Sequence, residues 1–264
     1  MFNTFIPRII FLLLDGNEVW NSHFDAFFTV RTLANISVLQ DGDPYNLNAG
    51  LSVPFNVTNL PYWERRYYAW SVLHFAQLAS SIVGKARVGR ADIPNVRVVP
   101  VLGVQGGYPT DGERMLSWLN DVYGPPAANG VATIASGGYI SMGPGNTDTV
   151  LTTEQVIQGF LGTLANMSTS SPGAYSGNNA LAGYTTIAAY YGMDLHAYEA
   201  SPDTSGSLAS QPIALEAKAN ATQDPRMADI AAGNIAIWQN WGGGTFNVCI
   251  FFFSFQIFPI ISMN

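Results

Sequence analysis

Ile9-Ile10-Phe11-Leu12-Leu13-Leu14-Asp15-Gly16-Asn17-Glu18-Val19-Trp20-Asn21 is the stretch that decides how the chain is read. A short unbroken apolar run halted by Asp15-Gly16 is the pattern of a strand buried on both faces, the kind that parallel sheets contain. The same end of the chain, from Phe5 to Leu14, has the apolar core of a signal peptide. It lacks a small-residue cleavage site, and Pro7 and Arg8 stand near its start. The strand reading is preferred because a polar, acidic motif follows it directly.

Working outward, further strand-like runs lie at Val96–Val104, Val131–Ser136 and Met193–Tyr198, most of them ending at glycine or a polar residue. Helical patterns separate them. Tyr62 to Val83 repeats apolar residues at three- and four-residue steps and stops at Gly84. Thr152-Thr153-Glu154-Gln155 reads as a cap ahead of Val156, Ile157, Phe160 and Leu161. Ala180–Tyr191 and Pro225–Trp238 are further helices, while Asp41–Pro61 and Ser168–Asn179 are turn-rich loops. Strands alternating with helices predict an α/β fold with a parallel sheet. No fixed-period repeat occurs.

The chain has 264 residues, enough for one large domain, with 48% apolar and 12% aromatic residues. Charge is sparse and acidic, 11 Lys+Arg against 18 Asp+Glu. No basic cluster stands ready to neutralise a phosphate backbone, so nucleic acid is not expected as a partner. Neutral polar ligands that stack on aromatic rings suit the 6 Trp and 12 Tyr better, although any such ring can equally be core. Cys249 is the single cysteine, and His23, His74 and His196 show no ligand spacing, so neither a metal nor another cofactor is expected. Asn-x-Ser/Thr triplets at Asn35, Asn56, Asn166 and Asn220 point to a secreted, extracellular glycoprotein.

Residues 246–264 differ from the rest. Val248 to Ile261 is rich in Phe and Ile, yet falls short of the roughly 20 apolar residues that span a bilayer, and Pro259 interrupts it. It reads as a tail, either translated non-coding sequence or a membrane anchor, behind a domain over residues 1–245.

Two glutamates carry the chemistry. Glu18 follows the first strand, between Asn17 and the nearby Trp20. In an apolar setting its pKa rises and it can hold a proton near neutral pH. A bare Asn-Glu pair is also common as an N-cap cluster. Glu199 closes Leu195-His196-Ala197-Tyr198-Glu199, and the phenol of Tyr198 can hydrogen-bond its ionised form. Read alone, it is equally a strand-end acid in a surface ion pair. Two carboxylates at the ends of parallel strands are what retaining glycoside hydrolysis uses, about 5–5.5 Å apart, against roughly 6.5–9.5 Å for inversion.

Gly16-Asn17-Glu18-Val19-Trp20-Asn21 and Tyr198-Glu199-Ala200-Ser201-Pro202-Asp203 resemble motifs of the clan of retaining (β/α)8-barrel glycoside hydrolases, in a branch with cellulase-like and carbohydrate-binding members. The resemblance covers roughly Ile9 to Trp241 and implies Glu18 as acid/base after strand four and Glu199 as nucleophile ending strand seven. It implies substrate contacts from Asn17, Trp20, Gln105, Tyr139 and Tyr198, with Trp238 and Trp241 weaker candidates. It also implies a partial TIM barrel, about strands four to seven, lacking the N-terminal units and strand eight. Ala200 and Ser201 stand where the pattern has two glycines. The alternatives are a non-catalytic carbohydrate-binding or cell-surface protein, and an inactive truncated product.

Overall fold

A computed structural model describes residues 11–14, 19–51, 56–142, 150–168, 180–203, 212–248 and 262–263. Two compact units emerge. The first gathers Met1–Gln105, Thr110–Ala135 and Ile187–Asp194; the second Gly106–Pro109, Ser136–Thr186 and Leu195–Asn264.

In the first unit, β1 (Phe11–Leu14), β2 (Val98–Gly103) and the start of β3 (Thr133–Gly137) run parallel, with Leu14 opposite Val101 and Leu102 opposite Ile134. All six residues of β2 are buried, as expected of a strand covered on both faces. Pairing with β3 begins at Val101, one residue past Pro100, so the missing N–H of Pro100 breaks none of those β2–β3 rungs.

Helix α1 (Asp25–Leu39) packs on α2 (Leu60–Val83), and α3 (Pro109–Tyr123) follows β2. α2 starts with Pro61 in its first turn, where a missing N–H costs nothing, and ends at Gly84 with φ +90°. Its buried stripe is Trp63, Glu64, Tyr68, Ala69, Val72, Leu73 and Ala76. Tyr68 reaches the end of β2, where its hydroxyl oxygen accepts the Gly103 N–H at 3.0 Å. The loop before α2 is ordered by Asp43, whose carboxylate accepts the N–H groups of Leu47 (2.6 Å) and Asn48 (2.9 Å). Asn48 in turn accepts the indole N–H of Trp63 at 2.9 Å.

The second unit holds α4 (Thr153–Ser168), most of α5 (Ala180–Tyr190), α6 (Pro212–Thr222) and α7 (Arg226–Asn240). α4 packs on both α6 and α7. Its cap is the one the sequence spells out: Thr152 N–H donates to Gln155 Oε1 at 2.8 Å, and Gln155 N–H returns to Thr152 Oγ1 at 3.2 Å. β5 (Asp194–Ala200) pairs in parallel with β7 (Phe246–Val248), and β7 pairs antiparallel with β8 (Ser262–Met263). β4 (Ile140–Ser141) and β6 (Pro202–Asp203) form a short parallel pair.

The four expected strands are present over their described residues, and the protein is mixed α/β with parallel pairing. The region after Trp241, expected to lack a strand, holds β7; three residues behind a run of glycines leave no pattern to read. α1, α3 and α6 were not anticipated either. Ser168–Asn179, read as a loop, begins with the last residue of α4 and otherwise lies outside the described residues, as do Met1–Ile10 and 249–261 of the tail. No helix among the described residues is long and apolar enough to cross a membrane.

Tyr68→Phe removes the acceptor from a buried backbone donor, a loss of about 1–3 kcal/mol. Urea unfolding of the two chains measures it, and an unchanged midpoint would mean that Gly103 finds another acceptor.

Candidate functional site

β3 ends at Ser136-Gly137, and in the second unit the Gly138-Tyr139 that follow meet the end of β5. Gly138 N–H donates to the Glu199 carbonyl at 2.8 Å, and Ile140 N–H to the Ser201 carbonyl at 3.2 Å. The side-chain amide of Asn234, on α7, donates to the Gly138 carbonyl at 2.9 Å. A Cβ at position 138 would stand 2.8 Å from Ala200 Cβ, 2.8 Å from Phe246 Cε2 and 3.1 Å from Ala197 Cβ. Only glycine fits there.

Ala197 and Ala200 therefore face the same side although three residues apart, whereas a regular strand turns such residues to opposite faces. The register against β7 slips between them. An extra residue of this kind re-aims side chains, and it falls on Tyr198 and Glu199. Both are half-buried. The Tyr198 hydroxyl lies 3.8 Å from where a Cβ of Gly137 would be, so the phenol reaches across to the end of β3.

Beside this junction is a cavity of about 260 Å³, lined among others by Tyr139, Thr163, Tyr184, Asp203, Asn234 and Trp238. Tyr139 is 38% exposed. Trp238 is buried, and its indole N–H donates to the Gly244 carbonyl at 3.2 Å, which makes it wall rather than platform. Of the residues expected to contact substrate, Tyr139 and Tyr198 come together with Glu199 in this unit, while Trp241 is half-buried just past α7. Asp203 and Asn234 were missed. Asp203 sits in the quoted turn motif and was within reach of the sequence; Asn234 is a lone amide inside a helix and gave no signal.

The first unit carries a second polar cluster at its strand ends. Trp20 is half-buried, its ring meeting the edge of Tyr68 with centroids 6.5 Å apart. One helical turn back along α2 lies Glu64, 7% exposed, whose Oε1 pairs with Arg65 at 2.6 Å. Arg65 also pairs with Asp111 of α3 at 2.8 Å. The other carboxylate oxygen of Glu64 is buried without a hydrogen-bond donor among the described residues. Burial pushes the Glu64 pKa up, opposed by the nearby charges of Arg65 and Arg31. Charge inside the aromatic run Tyr62-Trp63-Glu64-Arg65-Arg66-Tyr67-Tyr68 was the available sign of it. Gln105 belongs to this unit and stands half-buried two residues past β2. Asn17 and Glu18 lie outside the described residues.

Among the described residues no group of three His, Cys, Asp or Glu is arranged to hold a metal.

Because the folded-state pKa of Glu64 is raised, its contribution is greatest below the ordinary carboxylate range and is lost as pH climbs through the raised value. The stability of the natural chain relative to Glu64→Gln should therefore shrink from acid toward neutral pH. Urea midpoints at a series of pH values test this, and a difference that grows with pH would contradict the burial account. Comparison with known proteins returns no match: no family model, no curated protein and no solved structure.

Proposed function

We propose that the chain is a glycoside hydrolase-like domain for the retaining hydrolysis of O-glycosidic bonds in a polysaccharide. In this reading β1, β2, β3 and β5 stand for strands four to seven of a partial (β/α)8 barrel, and β7 follows in the position of strand eight.

The observation that carries the reading is Glu199 at the irregular end of a parallel strand, its backbone carbonyl bonded to Gly138, which lines a cavity together with Tyr139, Asp203 and Asn234. Strand ends of this kind are where such scaffolds do chemistry. Glu199 attacks the anomeric carbon as a carboxylate, and Tyr198 steadies it. Glu18 protonates the leaving oxygen and then takes a proton from the incoming water, so the glycosyl-enzyme ester formed in the first step is hydrolysed in the second. Asn17, Trp20, Gln105 and Tyr139 hold the sugar. No residue in this scheme calls for a cofactor, and the sparse acidic charge favours a neutral carbohydrate over nucleic acid. Asn166 and Asn220 are exposed on α4 and α6, in keeping with a secreted glycoprotein.

Glu199→Gln and Glu18→Gln should each lower turnover of an activated aryl glycoside by about 10³-fold or more. Azide should restore activity to Glu199→Ala by taking the nucleophile's place, with inversion at the anomeric carbon. Turnover at the natural rate in either Gln variant would remove that residue from its role. Binding of oligosaccharide without any turnover by the natural chain would make the domain a carbohydrate-binding one.

A further inference from the structure

A cavity of about 790 Å³ lies within the first unit, between the N-terminal half of α2, α3 and the loop at Ala49–Leu51. That is ample for a small-molecule or oligomeric ligand. Arg65, Arg66 and Arg114 line it, three of only 11 basic residues in the chain, together with Asp111, Glu113 and Asp121.

Two of the arginines are held in place. Arg65 is fixed by Glu64 and Asp111. Arg66 donates to the carbonyls of Leu47 at 2.6 Å and Ala49 at 2.8 Å, and its guanidinium lies 5.8 Å from the Trp118 ring centroid. Arg114 makes one longer contact with Asp111, at 3.4 Å, and lies 5.8 Å from the Tyr62 ring centroid. Tyr62 itself is 39% exposed at the rim. Two backbone carbonyls direct Arg66 and two carboxylates direct Arg65, an arrangement that flexible solvated arginines on a polar face would not show.

Three cations and three carboxylates make the lining neutral. A polyanion would meet three carboxylates, and a polycation three guanidiniums. A hydroxyl group both donates and accepts, so a hydroxyl-rich ligand uses both halves of the set. Planar guanidinium and carboxylate groups can engage neighbouring hydroxyls in pairs, and an exposed aromatic ring offers a face to the C–H side of a sugar ring. We infer that this cavity is a glycan-binding groove that performs no chemistry, taking a few units of an uncharged oligosaccharide. The inference does not depend on Glu199 acting as a nucleophile.

The experiment is calorimetric titration of the full chain, carrying Glu199→Gln so that nothing is consumed. Cello-, xylo- and manno-hexaose serve as probes, with an oligogalacturonate of equal length as the anionic control. At least one neutral hexaose should bind. Both Tyr62→Ala and Arg114→Gln, each at an exposed side chain, should weaken it about tenfold, while circular dichroism melting stays unchanged. Absence of binding by every neutral probe overturns the inference. So does tighter binding of the galacturonate, or an affinity indifferent to both substitutions. A natural chain that fails to hydrolyse glycosides while this groove still binds them would refute the catalytic reading alone.

Discussion

The second unit is organised around a place where a side chain cannot be. Gly138 gives its N–H to the Glu199 carbonyl, yields its carbonyl to Asn234, and lies against Ala197, Ala200 and Phe246 with no room for a Cβ. Both backbone groups of Gly138 are satisfied at this buried crossing, which a chain leaving a sheet does not achieve by default. The contact brings the end of β3 against the end of β5 and coincides with the slipped register there. Tyr198 and Glu199 are thus set by packing on the other side of the strand, rather than by contacts of their own side chains alone.

The first unit solves a different problem. Glu64 is a carboxylate inside the protein, and taking such a charge out of water costs several kcal/mol unless partners compensate. Arg65 compensates for one oxygen only, and its own charge is divided between Glu64 and Asp111. Apolar side chains in that position would fill the space with less penalty. The arrangement makes sense as a means of fixing Arg65, whose guanidinium then stands in the wall of the large cavity with little freedom to move.

What could be read from sequence follows from where periodicity and burial coincide. β2 is buried along its whole length, so its apolar run is continuous and unmistakable; the Thr152–Gln155 cap is a local hydrogen-bond pattern that needs no tertiary context. α3 was missed because Pro109-Thr110-Asp111-Gly112 looks like a turn, although Met115, Leu116, Trp118 and Leu119 bury the face behind it. β7 is too short for a pattern and is defined by its pairing with β5. That Tyr198 and Glu199 stand near the end of a strand was legible because an apolar run leads into them. Glu64 was not, since its burial depends on α2 packing onto neighbours distant in the chain.

The turn after Glu199 shows why a residue pattern and a structural requirement differ. Glycines there suggest a need for left-handed backbone, yet neither Ala200 nor Ser201 is among the described residues with positive φ. Glycine's conformational freedom is therefore not required at either position. What position 200 requires is space. Ala200 is fully buried, its methyl pressed toward the bare α-carbon of Gly138. A methyl on one strand is matched by the absence of one on the other, so the volume at the crossing is conserved. Alanine at position 200 is tolerable only while position 138 stays glycine. The two sites form one packing unit.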